Sequence, residues 1–196
     1  MIATKDRSGW IGASDTAMVM GNWSTPTFKR WWATKLGITT NTYTSPAMLA
    51  GTYYEHPILD AIGVRKRDRQ IRIRRLRLRV NLDGEDNAVH EVKTYRGKPD
   101  HVTADGELAY KPFKVTKAYW QQAQVEMFAA RKPLCINAYR VTDAEYRNFF
   151  LPIDPERLSE HPIVYAPTWV KNEYLPRLRI LAKALKKGVY PNESLR

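Results

Sequence analysis

The chain has 196 residues, enough for one ordinary domain with its own core and short for two. With 43% hydrophobic and 27% charged residues, its composition is that of a soluble globular protein and excludes a disordered chain. A net charge of +12 resists compaction through self-repulsion, so it answers to a polyanionic partner: nucleic acid first, an anionic membrane surface second.

No apolar run approaches a membrane span, and MIATKDRSGW lacks the apolar core of a signal peptide, so we expect no membrane association. Cys135 is the only cysteine, which excludes an intrachain disulfide and a cysteine-ligated zinc or iron–sulfur cluster made by one chain. Within the strand-like run PLCINAYRV it reads as a small buried thiol. A cytoplasmic location fits.

Ser14 to Met20 reads as a short helix, capped by Ser14 and ended by Gly21. A second helix runs from about Pro26 to Leu36, with Phe28, Trp31, Trp32 and Leu36 on one apolar face and Gly37 beyond its end. A third covers Pro46 to Ile62, with Gly63 as its stop. The period then changes to two. IRIRRLRLRV alternates apolar and basic residues, as a half-buried strand or tight hairpin does, and Arg74-Arg75 breaks the phase with a bulge or turn. VNLDGEDNAVHEVKT predicts two short strands around a turn at Gly84 to Asn87. Tyr95 to Thr116 is loop-rich, and KAYWQQAQVEMFAARK is strongly helical. A strand over LCINAYRV, another near Tyr146 to Ile153, and a terminal helix at about 166–187 complete the chain. This order predicts an α/β (α+β) fold, one domain over residues 1–196 with a mixed central sheet flanked by helices.

LDGEDNAVHEVKT carries the chemistry. Phosphodiester hydrolysis needs an activated water and neutralised phosphoryl oxygens, and a divalent metal held by carboxylates supplies both. Asp83 and Glu91, on adjacent strands, offer two hard oxygen donors suited to magnesium. Glu91 and Lys93 share a face of their strand by its period of two, so the ammonium can orient water or stabilise charge beside the metal. Val92 points away, and its carbonyl offers a further ligand. Taken alone, a short Asp then Glu-x-Lys pattern equally describes a solvated pair of charges.

Three further segments accompany the pattern. RSGWIGASDTAMVMG, GTYYEHPILDAIG, LDG with EVKT, and AYWQQAQVEMFAARK stand in the order of the signatures of the phage lambda exonuclease and YqaJ-type viral recombinase family, which the chain resembles over most of its length. The resemblance implies a PD-(D/E)xK core, restriction-endonuclease-like, and a 5′-to-3′ exonuclease that degrades linear double-stranded DNA and leaves 3′ single strands. It implies Asp83 and Glu91 as principal metal ligands, Glu55 as a further acid at the metal site, and Lys93 as the catalytic lysine. Gln122 would contact Lys93 or the attacking water, with Tyr119 nearby. Arg7 and Ser14 would hold a DNA 5′-phosphate. It further implies Mg2+, with Mn2+ as a substitute and two ions, a homotrimeric ring around DNA, and a phage single-strand annealing protein as partner.

Several of these residues have plainer readings. Ser14 serves as a helix cap, Arg7 as an exposed charge near the chain start, and Glu55 as a solvated helix carboxylate. Gln124 competes with Gln122, which is preferred by its offset from Tyr119. Tyr119, Gln122 and Glu126 lie on one helical face, and Glu126, which the family does not lead one to expect, reads as a surface charge or a contact to a basic neighbour. His56, His90, His101 and His161 lack metal-ligand spacing. The basic run RKRDRQIRIRRLRLRV is the expected DNA-facing stripe, or else a solvated edge strand. The tryptophans read mostly as core, with Trp10 or Trp23 placed to stack on a DNA end. Two other functions fit: a different PD-(D/E)xK nuclease, cutting internally or in repair, and a non-enzymatic basic DNA-binding module.

Overall fold

The computed structural model describes residues 8–40 and 44–191. Strand β1 (Ile11–Gly12) leads through a 3-10 turn, Ala13–Asp15, into α1 (Thr16–Met20), which Gly21 ends. Here one expectation is corrected. The N-cap is Gly12, whose N–H donates to Asp15 Oδ2 at 2.7 Å, and Ser14 lies exposed inside the turn. Asp15, three residues on, closes the turn by accepting the Gly12 N–H, and neither its side chain nor that of Ser14 caps α1 in the way expected of Ser14.

Helices α2 (Pro26–Lys35) and α3 (Pro46–Ala61) form where expected. The Thr25 and Ser45 hydroxyls accept from Phe28 and Met48 N–H, and each helix starts on a proline. Gly37 and Gly63, at φ +75 and +77, turn the chain out of them.

The basic run is a hairpin. β2 (Arg67–Ile73) and β3 (Leu78–Glu85) pair antiparallel through the turn Arg74–Leu76, where the alternation changes phase. β4 (Val89–Arg96) follows. The stretch read as loop contains a small separate hairpin, β5 (Pro99–Val102) and β6 (Leu108–Tyr110). α4 (Lys117–Ala130) then crosses over to β7 (Leu134–Val141), which pairs parallel to β4, as a crossover of this length permits.

The strand expected near 146–153 does not form. Thr142 and Glu145 make a reciprocal capping box that starts α5 (Asp143–Arg147), and the strand is displaced to β8 (Leu158–Ile163), antiparallel to β7. The terminal helix falls within its expected span in three parts: α6 (Pro167–Trp169), a π-helical turn (Val170–Tyr174) and α7 (Leu175–Lys187). Pro176 lacks an N–H, so the α-helical hydrogen bond is missing there and the turn widens.

The mixed six-stranded sheet carries helices on both faces. Val19, Phe28, Trp32, Val125 and Leu178 pack α1, α2, α4 and α7 against one face. Tyr54, Ile58 and Leu59 of α3 pack against the other, with Val92 and Tyr139. Gly84 lets α3 come close: a Cβ there would lie 2.6 Å from Leu59 Cδ2 and 2.9 Å from Val64 Cγ1. Among the described residues no helix is long and apolar enough to cross a membrane. Cys135 is half-buried, not fully enclosed as expected, because it lies near the β8 edge of the sheet.

Candidate active site

The site lies in a gap of the sheet. β2 runs along one edge of β3; on the other edge β1 pairs at Leu78 and Arg79, and β4 at Gly84 and Glu85. Between those two contacts β3 has no neighbour, and Asp83 sits at the opening. There the separating strands replace a ladder bond with a side chain, as Val92 N–H donates to Asp83 Oδ2 at 2.9 Å.

Alternation along β4 places the remaining groups. Val92 packs with α3, while Glu91 and Lys93 face α4. Lys93 Nζ donates to Glu91 Oε1 in a short contact and lies 3.4 Å from Gln122 Oε1. The Gln122 amide also donates, to Glu91 Oε1 at 2.6 Å and to Glu126 Oε1 at 2.8 Å. The Tyr119 ring centroid is 5.1 Å from the same ammonium. The expected set Asp83, Glu91, Lys93, Gln122 and Tyr119 is therefore brought together in space. Gln124 is not part of it; it is buried and joins Val164 O to Ala166 N–H.

Glu126 was missed as a member of the site. It is 1% exposed, lines the cleft, and leaves Oε2 without a hydrogen-bond partner. The signal was its helical spacing, one turn beyond Gln122; the glutamate type pointed to the surface. Lys35 was also missed. It is buried beside the Ala13–Asp15 turn, 2.5 Å from Asp15 Oδ2, although a lysine in the last turn of a helix ordinarily answers only to the helix dipole.

Glu55 reaches the site from α3. His56 Nε2 lies 3.1 Å from Asp68 Oδ2, and donor atoms of Glu55, His56 and Asp68 all lie within 4.8 Å of one another. Spacing alone gives the histidines no metal-ligand pattern; His56 joins this group because β2 returns beside α3. His90 faces away, toward Asn137 and Asp86, as expected.

The electrostatics are those of a site overloaded with acid. Burial raises the Asp83 carboxyl well above its ordinary range, and the nearby Glu91 and Glu55 raise it further. Burial and Glu91 act likewise on Glu126. Burial, Asp68 and Glu91 raise Glu55. Burial alone would lower Lys93, but Glu91 and Asp83 outweigh it and hold it as an ammonium. The donor set fits a hard divalent cation. Among the described residues Asp83 Oδ1 and Glu91 Oε2 carry no hydrogen bond, and a cation would relieve the repulsion among carboxylates that one lysine leaves in place.

A cleft of about 570 Å³ joins these residues to Trp10, Ser14 and Lys35. Ser14 is exposed on its wall, and Arg7 lies outside the described residues. Trp10 has the guanidinium groups of Arg72 and Arg77 5.8 and 5.9 Å from its ring, whereas Trp23 is packed against Phe28 and donates to Val19 O. The basic stripe is divided. Arg67 pairs with Asp60 and Arg69 with Glu85, while Arg65, Arg74 and Arg75 are exposed.

No protein-family model matches the chain, and no curated protein sequence does. Among solved structures, it is similar to the crystal structure of an alkaline exonuclease (LHK-Exo) from Laribacter hongkongensis. The TM-score is 0.61 at 19% identity, over 92% of this chain and 90% of that one. The likeness shows that the two share a fold.

Proposed function

We propose that this protein is a metal-dependent DNA nuclease that degrades linear double-stranded DNA from its 5′ ends and leaves 3′ single strands. The observation that carries the reading is the convergence of Asp83, Glu91 and Lys93 with Gln122 at the opening in the sheet. The shared fold with an alkaline exonuclease supports it.

Asp83, Glu91 and the Val92 carbonyl would hold a first cation and Glu55 would contribute to a second; Mg2+ would suit these hard oxygens, with Mn2+ as a substitute. When bound, the metal lowers the pKa of water and neutralises charge on the phosphoryl oxygens. The chain's own groups do the rest. Lys93, held as an ammonium, steadies negative charge gathering on the phosphate. Gln122 orients Lys93 and the attacking water, and Tyr119 closes that side of the pocket. Exposed Arg65, Arg74 and Arg75 take the duplex backbone, and Arg7 with Ser14 takes the terminal 5′-phosphate.

The protein then works on DNA ends as a homotrimeric ring in the cytoplasm of a phage-infected cell, supplying 3′ strands for recombination to a single-strand annealing protein. The test is digestion of linear duplexes bearing 5′-phosphate or 5′-hydroxyl ends, beside closed circular DNA. With Mg2+, faster loss of the 5′-phosphorylated duplex and intact circles support the exonuclease. Cut circles point to an endonuclease, and binding without cleavage in any metal leaves a DNA-binding module.

A further inference from the structure

Glu126 is a costly residue for the fold. Its carboxyl is 1% exposed, and among the described residues its only hydrogen-bond partner is the Gln122 amide. Among the described residues no arginine or lysine forms an ion pair with it. A buried acid with a single neutral partner does not recover its desolvation cost, so packing does not explain its presence.

Its one contact is well placed to decide something. Gln122 can present either end of its amide to its neighbours. With Nε2 toward Glu91 and Glu126, both N–H groups are used and Oε1 faces Lys93. The flipped amide would set an oxygen against Glu91 Oε1 and Glu126 Oε1, both of which accept here, and an NH2 against an ammonium; a proton on the carboxyl of Glu126 would sit on its unpartnered Oε2 and leave Oε1 as acceptor. Glu91 enforces the first orientation only while its Oε1 faces the amide; Glu126, one helical turn from Gln122 on the same rigid element, enforces it throughout.

We propose that Glu126 is a positioning residue, an acceptor that locks the Gln122 amide so that its oxygen is always directed at Lys93. The inference rests on the nuclease reading for its consequence, but not for its geometry. Glu126 touches neither substrate nor reacting atoms, and acts only through Gln122.

The experiment compares E126Q, whose amide oxygen can still accept from Gln122, with E126M, which fills similar volume and accepts nothing. We expect E126M to lose about 10- to 100-fold in kcat with KM for DNA nearly constant, as misplacement of a catalytic group does. Its melting temperature should hold or rise, because a poorly compensated buried acid is gone. E126Q should recover most of the lost rate. Independently of cleavage, the Gln122 side-chain NH2 resonances, identified by their loss in Q122E, should move in E126M and stay near their original positions in E126Q. Equal rates for wild type and E126M, equal damage in both variants, or unmoved Gln122 resonances in E126M would overturn the proposal. If the wild type cleaves nothing, the nuclease reading fails, and the resonances alone still decide whether Glu126 holds Gln122.

Discussion

The side chain of Asp83 accepts the backbone N–H of Val92 at 2.9 Å, at the point where the two strands that carry these residues stop pairing. One carboxylate oxygen thus finishes the sheet and the other is left toward the cleft. Asparagine can keep the first role and not the second. Asp83→Asn should therefore fold and melt at or above the wild-type temperature, since it removes one of several mutually repelling acids. Cleavage should fall by about 100-fold or more, the scale of losing a metal-binding carboxylate. Calorimetry beside a cleavage assay checks both; a clear drop in melting temperature would show that Asp83 is chiefly structural.

The same acid gives a pH dependence with a defined sign. Asp83 has a raised pKa in the folded protein, so the folded state holds its proton more tightly than the unfolded chain does. Its stabilising contribution is complete below the ordinary aspartate pKa of about 4 and is lost as pH rises through the raised value. Without divalent cation, the melting temperature of the wild type should decline relative to Asp83→Asn as pH rises from about 4 into the neutral range. Added Mg2+ should reduce that difference. A gap between the two proteins that stays constant with pH would contradict the electrostatic picture.

Glu85 behaves in the opposite way. Burial would raise its carboxyl, but hydrogen bonds from Arg69 and Lys132 prevail and hold it at about 2. Its contribution is present above the ordinary glutamate pKa and lost as pH falls through about 2. Glu85→Gln should cost about 2 kcal/mol at neutral pH, the scale of losing a buried charge-assisted hydrogen bond. The loss should shrink toward pH 2, as denaturant melts across the pH range can show. Cleavage by the folded fraction should not change.

Gln122 and Gln124 separate catalysis from folding on one helix. Gln124 is fully buried and satisfies two backbone groups, Val164 O at 2.9 Å and Ala166 N–H at 2.7 Å. Gln124→Ala should cost about 2–4 kcal/mol in a urea melt, from two unsatisfied groups and a cavity, with little effect on kcat below the transition. Gln122→Ala should do the reverse. Similar effects from both would mean that the helix presents its faces differently.

What could be read from the sequence was what is local. Asp83 and Glu91 are eight positions apart across one turn, and the alternation of β4 puts Glu91 and Lys93 on one face without reference to the rest of the fold. Proline and glycine marked α2 and α3 because such signals act within one turn, whereas the hydroxyl caps Thr25 and Ser45 were not read. The errors arose where a residue answers to a distant one. Glu126 looked like surface because no local rule buries a glutamate. Lys35 drew no reading, because its partner Asp15 lies twenty residues away in sequence. The segment after Val141 alternates like a strand, but the capping box of Thr142 and Glu145 starts a helix first, and Arg157 then holds Glu145 in place from across the loop.

Everything functional rests on Lys93 acting with Asp83 and Glu91 at one phosphodiester. The most direct measurement is the rate at which a 5′-phosphorylated linear duplex is digested in Mg2+ by wild type and by Lys93→Met, with DNA affinity measured in Ca2+. The account predicts digestion by the wild type and a loss of about 100-fold or more in Lys93→Met with affinity nearly unchanged, since the missing interaction serves the transition state. Equal digestion by the two proteins, or none by the wild type in Mg2+ or Mn2+, would contradict it.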